Sequence, residues 1–175
     1  MATRSSGAFS ALIDKCVRHL DSLQTWFPAA KPAITDSTTR SRPWRATASQ
    51  DFTERTLQMK GTSAQFSLGK SFRNFSPLGS WLTTADEIAD PNNLAIRCSV
   101  SGTEYQDSNT SDMVFNVAEI ISYLSDVVEL RPGVLIFTGS PHGVGRGQTP
   151  PVFLKPGNRV VTEIERLGRI ENVIV

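Results

Sequence analysis

The chain has 175 residues, 39% hydrophobic and 20% charged, with a formal net charge of +1, which is the size and composition of one globular domain with enough apolar residues for a core. That charge gives no general attraction for nucleic acid or an anionic membrane, and no apolar run approaches the roughly 20 residues of a membrane-spanning helix. Cys16 and Cys98 have no metal-ligand spacing and read as reduced packing residues of an intracellular protein.

Residues 1–50 contain no glutamate and are rich in Ser, Thr and Arg. This superficially suits an organelle transit peptide, although Asp14 and Asp21 argue against one because such peptides avoid acids, so the expected location is cytoplasmic with a mitochondrial one as the alternative. From Phe9, apolar residues recur at Leu12, Ile13, Cys16, Leu20, Leu23 and Phe27, which predicts an amphipathic helix stopped by Pro28. His19, between Arg18 and Asp21, falls near its polar side and reads as a solvated histidine. Ala29 to Ser49 carries Pro32 and Pro43 without apolar periodicity and reads as a loop or linker. The expected organisation is a helix and linker over residues 1–49 and a domain over 50–175.

Asp51, Arg55 and Gln58 stand at i, i+4 and i+7, one polar face of a short helix. Asp51 with Glu54 three residues on makes a capping box, and Gly61-Thr62-Ser63 is a stop. Beyond Lys70 the chain becomes β-rich. Leu94, Ile96, Cys98 and Val100 alternate with more polar residues as a half-buried strand, Ser101-Gly102 turns, and Glu104 to Gln106 returns. Asn116 with Glu119 is a second capping box, above an apolar stripe of Val117, Ile120, Ile121, Leu124 and Val128 that Arg131-Pro132-Gly133 ends. Val134 to Phe137 is wholly apolar, suits a strand buried on both faces, and delivers Thr138-Gly139-Ser140. Val160 to Glu165 and Ile170 to Val175 alternate around Leu167-Gly168 as a closing hairpin.

Two tempting motifs fail. Gly143-Val144-Gly145 lacks both the Gly-x-Gly-x-x-Gly pattern and the Gly-Lys-Ser/Thr ending, and Pro150-Pro151 stands where a helix would open. Ser140-Pro141-His142 offers a hydroxyl and a base, but sequence neighbours seldom face one another and no acid partner is indicated.

The blocks Gln65 to Phe72, Ser76 to Leu82, Thr84 to Ile88, Asn109 to Phe115, Thr138 to Pro141 with Gly143 to Gly145, and Phe153 to Gly157 resemble, in order and spacing, the fumarylacetoacetate hydrolase family. The resemblance covers roughly residues 50 to 175. It implies an α+β, mainly β fold, a mixed β-roll with few short helices, usually dimeric. It also implies a site where a divalent cation (Mg²⁺, or Mn²⁺ or Ca²⁺) and fixed donors stabilise the enolate formed as a carbon-carbon bond of a small 2-oxo or 1,3-diketo acid breaks. Position by position, Asp51 matches the aspartate metal ligand, and Arg55 and Gln58 match catalytic pocket residues. Lys70 matches the lysine facing substrate, and Thr138 with Gly139 the pair holding the substrate carboxylate or oxo group.

Each residue also has a purely structural role open to it: an Arg55–Asp51 pair at i, i+4, a solvated Gln58, a surface Lys70, a Thr138 hydroxyl satisfying its own backbone. The family's Glu-x-Glu metal ligands have no counterpart, since no glutamate precedes Glu54, and its water-activating histidine and glutamate are not identifiable. Part of the family's N-terminal sheet is missing or replaced, which leaves a sheet edge exposed. One acid beside two cations favours an anion over Mg²⁺, giving an oxo-acid binder of weak or no activity. The competing expectations are an active metal-dependent hydrolase or decarboxylase whose further ligands come from Asp14, Asp21, Asp36 or another subunit, and a non-catalytic oligomerising module.

Overall fold

A computed structural model describes the backbone of residues 23–28 and residues 44–175 apart from Ser80 and Pro132. The chain forms strands β1 (Leu23–Pro28), β2 (Trp44–Ser49) and β3 (Thr83–Thr84), with the single-turn helix α1 (Arg55–Gln58) after β2. Strands β4 (Ala95–Val100) and β5 (Thr103–Asn109), helix α2 (Val117–Ser125), and strands β6 (Ile136–Phe137), β7 (Arg159–Ile164) and β8 (Gly168–Val173) follow. They build two four-stranded sheets, in the orders β3-β2-β1-β6 and β5-β4-β7-β8. The fold is α+β and mainly β, as expected.

Two expectations about the first fifty residues are corrected. The last turn of the expected helix, from Leu23 on, is strand β1, paired along its whole length with β2 from Leu23↔Ser49 to Pro28↔Trp44. The earlier part of that helix lies outside the described residues. The end of the expected linker is β2 itself, and Ala46, Thr47, Ala48 and Ser49 are fully buried. Small side chains let β2 pack against β7 and β8 of the other sheet. They also bring a loop close: a Cβ on Gly79 would sit 2.7 Å from Thr47 Oγ1, so only glycine fits there.

The second sheet follows its sequence pattern. Ser101 and Gly102 both have positive φ (50° and 88°), the geometry of a two-residue hairpin turn, and the return strand runs on to Asn109. Asn116 caps α2 as expected, accepting from the Glu119 N–H at 3.0 Å while Glu119 accepts from the Asn116 N–H at 2.8 Å. Val117, Ile120 and Ile121 enter a core shared with Ala46, Ala48, Ile96 and Ile164. The helix ends at Ser125, whose hydroxyl bonds back to the Ile121 carbonyl, so Val128 is exposed rather than part of the stripe. The apolar run at Val134 is also shorter as a strand than its composition predicts: only Ile136 and Phe137 pair, and Leu135 is exposed.

Candidate functional site

Leaving β2, the chain carries Gln50 and Asp51 into the interior, where both are buried. Gln50 Oε1 accepts from Thr162 Oγ1 of β7 at 3.0 Å. The N–H groups of Gln50, Phe52 and Glu54 donate to the carbonyls of Pro77, Phe75 and Gly69 at 3.2, 2.9 and 2.7 Å. These bonds lace the extended segment 50–54 to the stretch 69–77 and hold Asp51 outside any helix. The capping box expected at Asp51 is therefore not formed. Glu54 is the cap of α1, accepting from the Thr56 and Leu57 N–H groups, and those bonds hold its carboxyl below its ordinary value.

Within α1, Arg55 Nη1 donates to Gln58 Oε1 at 2.8 Å, and Gln58 is fully buried, not solvated. A Cβ on Gly69 would stand 3.0 Å from the Glu54 carbonyl oxygen and 3.3 Å from Gln58 Cβ, so this glycine lets the 3₁₀ turn Leu68–Lys70 lie against α1. The residue that follows, Lys70, donates from Nζ to Asp51 Oδ2. Their side chains are 17% and 7% exposed, which overturns the surface reading of Lys70. Burial pushes the Asp51 carboxyl above its ordinary 3.8, opposed first by the charge and hydrogen bond of Lys70 and then by the charge of Arg55.

Buried polar atoms in folded proteins almost always find partners. Four buried side-chain atoms among the described residues have none, and three of them, Ser49 Oγ, Thr53 Oγ1 and Gln58 Nε2, belong to the ten residues around Asp51.

Two cavities flank one face of β4. The larger, about 610 Å³, lies between segment 50–56, Cys98 and Val100 of β4, and the loop 143–154; Arg55 and Thr53 are on its wall, while Asp51, Gln58 and Lys70 are not. The smaller, about 250 Å³, is lined by Ile96, Thr138, Gly139 and His142 among others. Residues 139–146 divide the two, pinned by Gln106 Nε2 to the Pro141 carbonyl at 3.0 Å and Gln148 Nε2 to the Gly143 carbonyl at 3.1 Å. Gly143 has φ +99°, and a Cβ there would overlap the Tyr105 carbonyl oxygen at 1.9 Å.

The expected common cavity is thus only partly formed. Asp51, Arg55, Gln58 and Lys70 are joined, whereas Thr138 and Gly139 line a separate cavity. Topology still brings the two groups to one end of a sheet. Thr25 of β1 pairs with both Thr47 and Phe137, so β2 and β6 run in the same direction, two strand spacings or roughly 9–10 Å apart, and both lead toward the same end of the sheet, with Asp51 three residues further along than Thr138. Sequence reasoning missed Ser49, Thr53, Tyr105 and Arg146; Thr53 lies inside the matched segment and Arg146 directly follows Gly143-Val144-Gly145.

A divalent cation needs several oxygen ligands, usually carboxylates. Here one carboxylate is already engaged by an ammonium, and no group of three or more His, Cys, Asp or Glu side chains able to hold a metal is assembled among the described residues. The described residues do not fit a divalent cation.

The model of the C-terminal domain of fumarylacetoacetate hydrolase matches residues 44–175. The chain belongs to the fumarylacetoacetate hydrolase family. Over 129 residues it is 49% identical to the mitochondrial oxaloacetate tautomerase FAHD2A of Bos taurus, covering 74% of this chain and 41% of that protein. Over 135 residues it is 40% identical to the fumarylacetoacetate hydrolase domain-containing protein 2 homolog of Dictyostelium discoideum, covering 72% and 44%. The chain thus spans less than half the length of these curated relatives. Among solved structures, fumarylacetoacetate hydrolase from Exiguobacterium antarcticum superposes with a TM-score of 0.80 at 28% identity, covering 90% of this chain and 57% of that one. Fumarylpyruvate hydrolase from Pseudomonas aeruginosa, in complex with Mn²⁺ and pyruvate, superposes with a TM-score of 0.74 at 28% identity, covering 90% and 65%. Among the described residues no helix is long and apolar enough to cross a membrane.

Proposed function

We propose that this chain binds small 2-oxo or 1,3-diketo acids as anions, at the cluster of Asp51, Arg55, Gln58 and Lys70. Thr138 and Gly139, toward the same end of the sheet, take the carboxylate or oxo group. The observation that carries this is the buried Asp51–Lys70 pair with Arg55 beside it, a site with one formal negative and two positive charges. Such a site attracts a monoanion and repels a dication. When a bound oxo acid enolises, charge moves to its oxygen, and two cations with fixed amide and hydroxyl donors stabilise it. Relatives named for oxaloacetate and fumarylpyruvate support this substrate class. Catalysis is weak, because the described residues supply one carboxylate already neutralised by Lys70. By the names of its relatives the chain works in mitochondria, and by its family it works as a homodimer.

Calorimetric titration in the presence of a chelator tests the reading. Pyruvate and oxaloacetate bind without metal, and Lys70→Met and Arg55→Ala each lose at least tenfold in affinity. Micromolar Mg²⁺ binding that requires Asp51 overturns it. The structure of the Pseudomonas relative with Mn²⁺ and pyruvate favours a second reading, metal-assisted carbon-carbon cleavage. That reading needs oxygen ligands beyond the described residues, and turnover of acylpyruvates with Mg²⁺ or Mn²⁺ would decide for it.

A further inference from the structure

We infer that the 610 Å³ cavity is a specificity pocket for an uncharged apolar tail, so that the acid bound here is a 2-oxo acid carrying an aryl or medium-length alkyl group. The inference rests on the anion-binding reading above and adds the identity of the rest of the ligand.

Size comes first. A volume of about 610 Å³ lies within the roughly 300–1,000 Å³ of pockets that hold drug-sized ligands, far more than a three- or four-carbon acid fills. Chemistry comes second. The wall is more apolar than polar, with Val100, Tyr105, Val144, Val152, Phe153 and Leu154 among its residues, and such a surface gains by covering methylene groups or a ring. The head end is the third observation. Arg55, a member of the anion cluster, is also on this wall. An acid whose carboxylate or oxo oxygen is held by that guanidinium therefore lays its tail in the cavity.

The other charges on the wall do not call for a second carboxylate. Glu54 is committed to capping α1. Arg146 is exposed and donates to Met59 Sδ at 2.8 Å, so its charge is screened by water, whereas a tail carboxylate would have to cross the apolar wall at a desolvation cost. The wall thus separates tails by polarity.

Calorimetric titration of the full chain with pyruvate, 2-oxobutyrate, 2-oxohexanoate, 2-oxooctanoate, phenylpyruvate and 2-oxoadipate tests this. Affinity rises about fourfold per added methylene up to the octanoate, the value corresponding to about 0.8 kcal/mol per buried methylene. Phenylpyruvate binds at least tenfold more tightly than pyruvate, and 2-oxoadipate more weakly than 2-oxohexanoate. Leu154→Trp and Val100→Phe, which fill the cavity from a loop and from a strand, flatten the dependence on tail length; two sites guard against one variant failing to fold. Pyruvate binding with no gain from longer tails, or a tighter 2-oxoadipate, overturns the apolar pocket and leaves the anion reading standing. Binding of no 2-oxo acid at all overturns both.

Discussion

The two sheets keep their charges in opposite ways. In the sheet β5-β4-β7-β8, Arg97 of β4 pairs with Asp107 of the outer strand β5 at 2.9 Å, and Arg159 of β7 and Arg169 of β8 both reach Glu171 of the outer strand β8, with all three arginines more than half exposed. Pairs of that kind add little to stability, and lining the edge strands with charge discourages association through them. At the end of β2 the Asp51 and Lys70 charges are withdrawn from water, and three buried polar atoms near them have no partner. A folded chain gains little from burying a carboxylate, an ammonium and three orphaned polar atoms, a contrast that agrees with the binding role proposed for the β2 end.

Removing one charge at each place sharpens the contrast most. Lys70→Met leaves Asp51 buried without its partner and lowers unfolding free energy by about 2–4 kcal/mol, read from the urea midpoint. Adding Asp51→Asn to that variant recovers more than half of the loss. The same double-mutant cycle on Arg97 and Asp107 gives a coupling indistinguishable from zero. Equal couplings at the two places would remove the distinction.

How much of this was legible in the sequence follows the same division. β4, β7 and β8 announce themselves because each alternates between one wet face and one dry face. β2 does not: Trp44-Arg45-Ala46-Thr47-Ala48-Ser49 is buried by the close approach of the other sheet, and small residues chosen for closeness carry no alternation. Leu23 and Phe27 misled for another reason, since a spacing of four puts two residues on one side of a helix and of a strand alike, and only pairing with β2 decides between them. At the site, the matched blocks named Asp51, Arg55, Gln58 and Lys70. Lys70 stands nineteen positions after Asp51, and what joins them is the bare backbone of Gly69 against α1, a packing fact. The division of the space around Gln106 and Pro141 into two cavities likewise depends on loop geometry that no local pattern encodes.

Gly69 gives the next largest effect. Gly69→Ala forces the Glu54 carbonyl and Gln58 to yield by a few tenths of an ångström and costs about 1–2 kcal/mol, while the ammonium of Lys70 moves off Asp51 and oxo-acid affinity falls with it. Gly147→Ala is the control. Nothing lies within 4 Å of a Cβ there and its φ is ordinary, so stability is unchanged or slightly raised. A Gly69→Ala variant as stable and as tight-binding as the parent would mean that Lys70 does not owe its position to this contact.

The smallest effect is a pair of opposite pH trends. Asp51 has a folded pKa raised above its ordinary 3.8 by burial, so between the two values the folded chain holds a proton that the unfolded chain has lost. Its contribution is complete below pH 3.8 and declines as pH rises through the folded value. Glu54 has a folded pKa held below its ordinary 4.5 by the N–H groups it caps; its contribution is complete above that value and declines as pH falls through the folded one. Urea midpoints between pH 3 and pH 7 therefore separate the two. Relative to Asp51→Asn, the parent loses ground as pH rises from about 3.8, and relative to Glu54→Gln it loses ground as pH falls below about 4.5. Should Asp51 instead follow the trend of Glu54, the attraction of Lys70 and Arg55 would outweigh the cost of burial. The pair would then be a stabilising element of the fold rather than a site held at its expense.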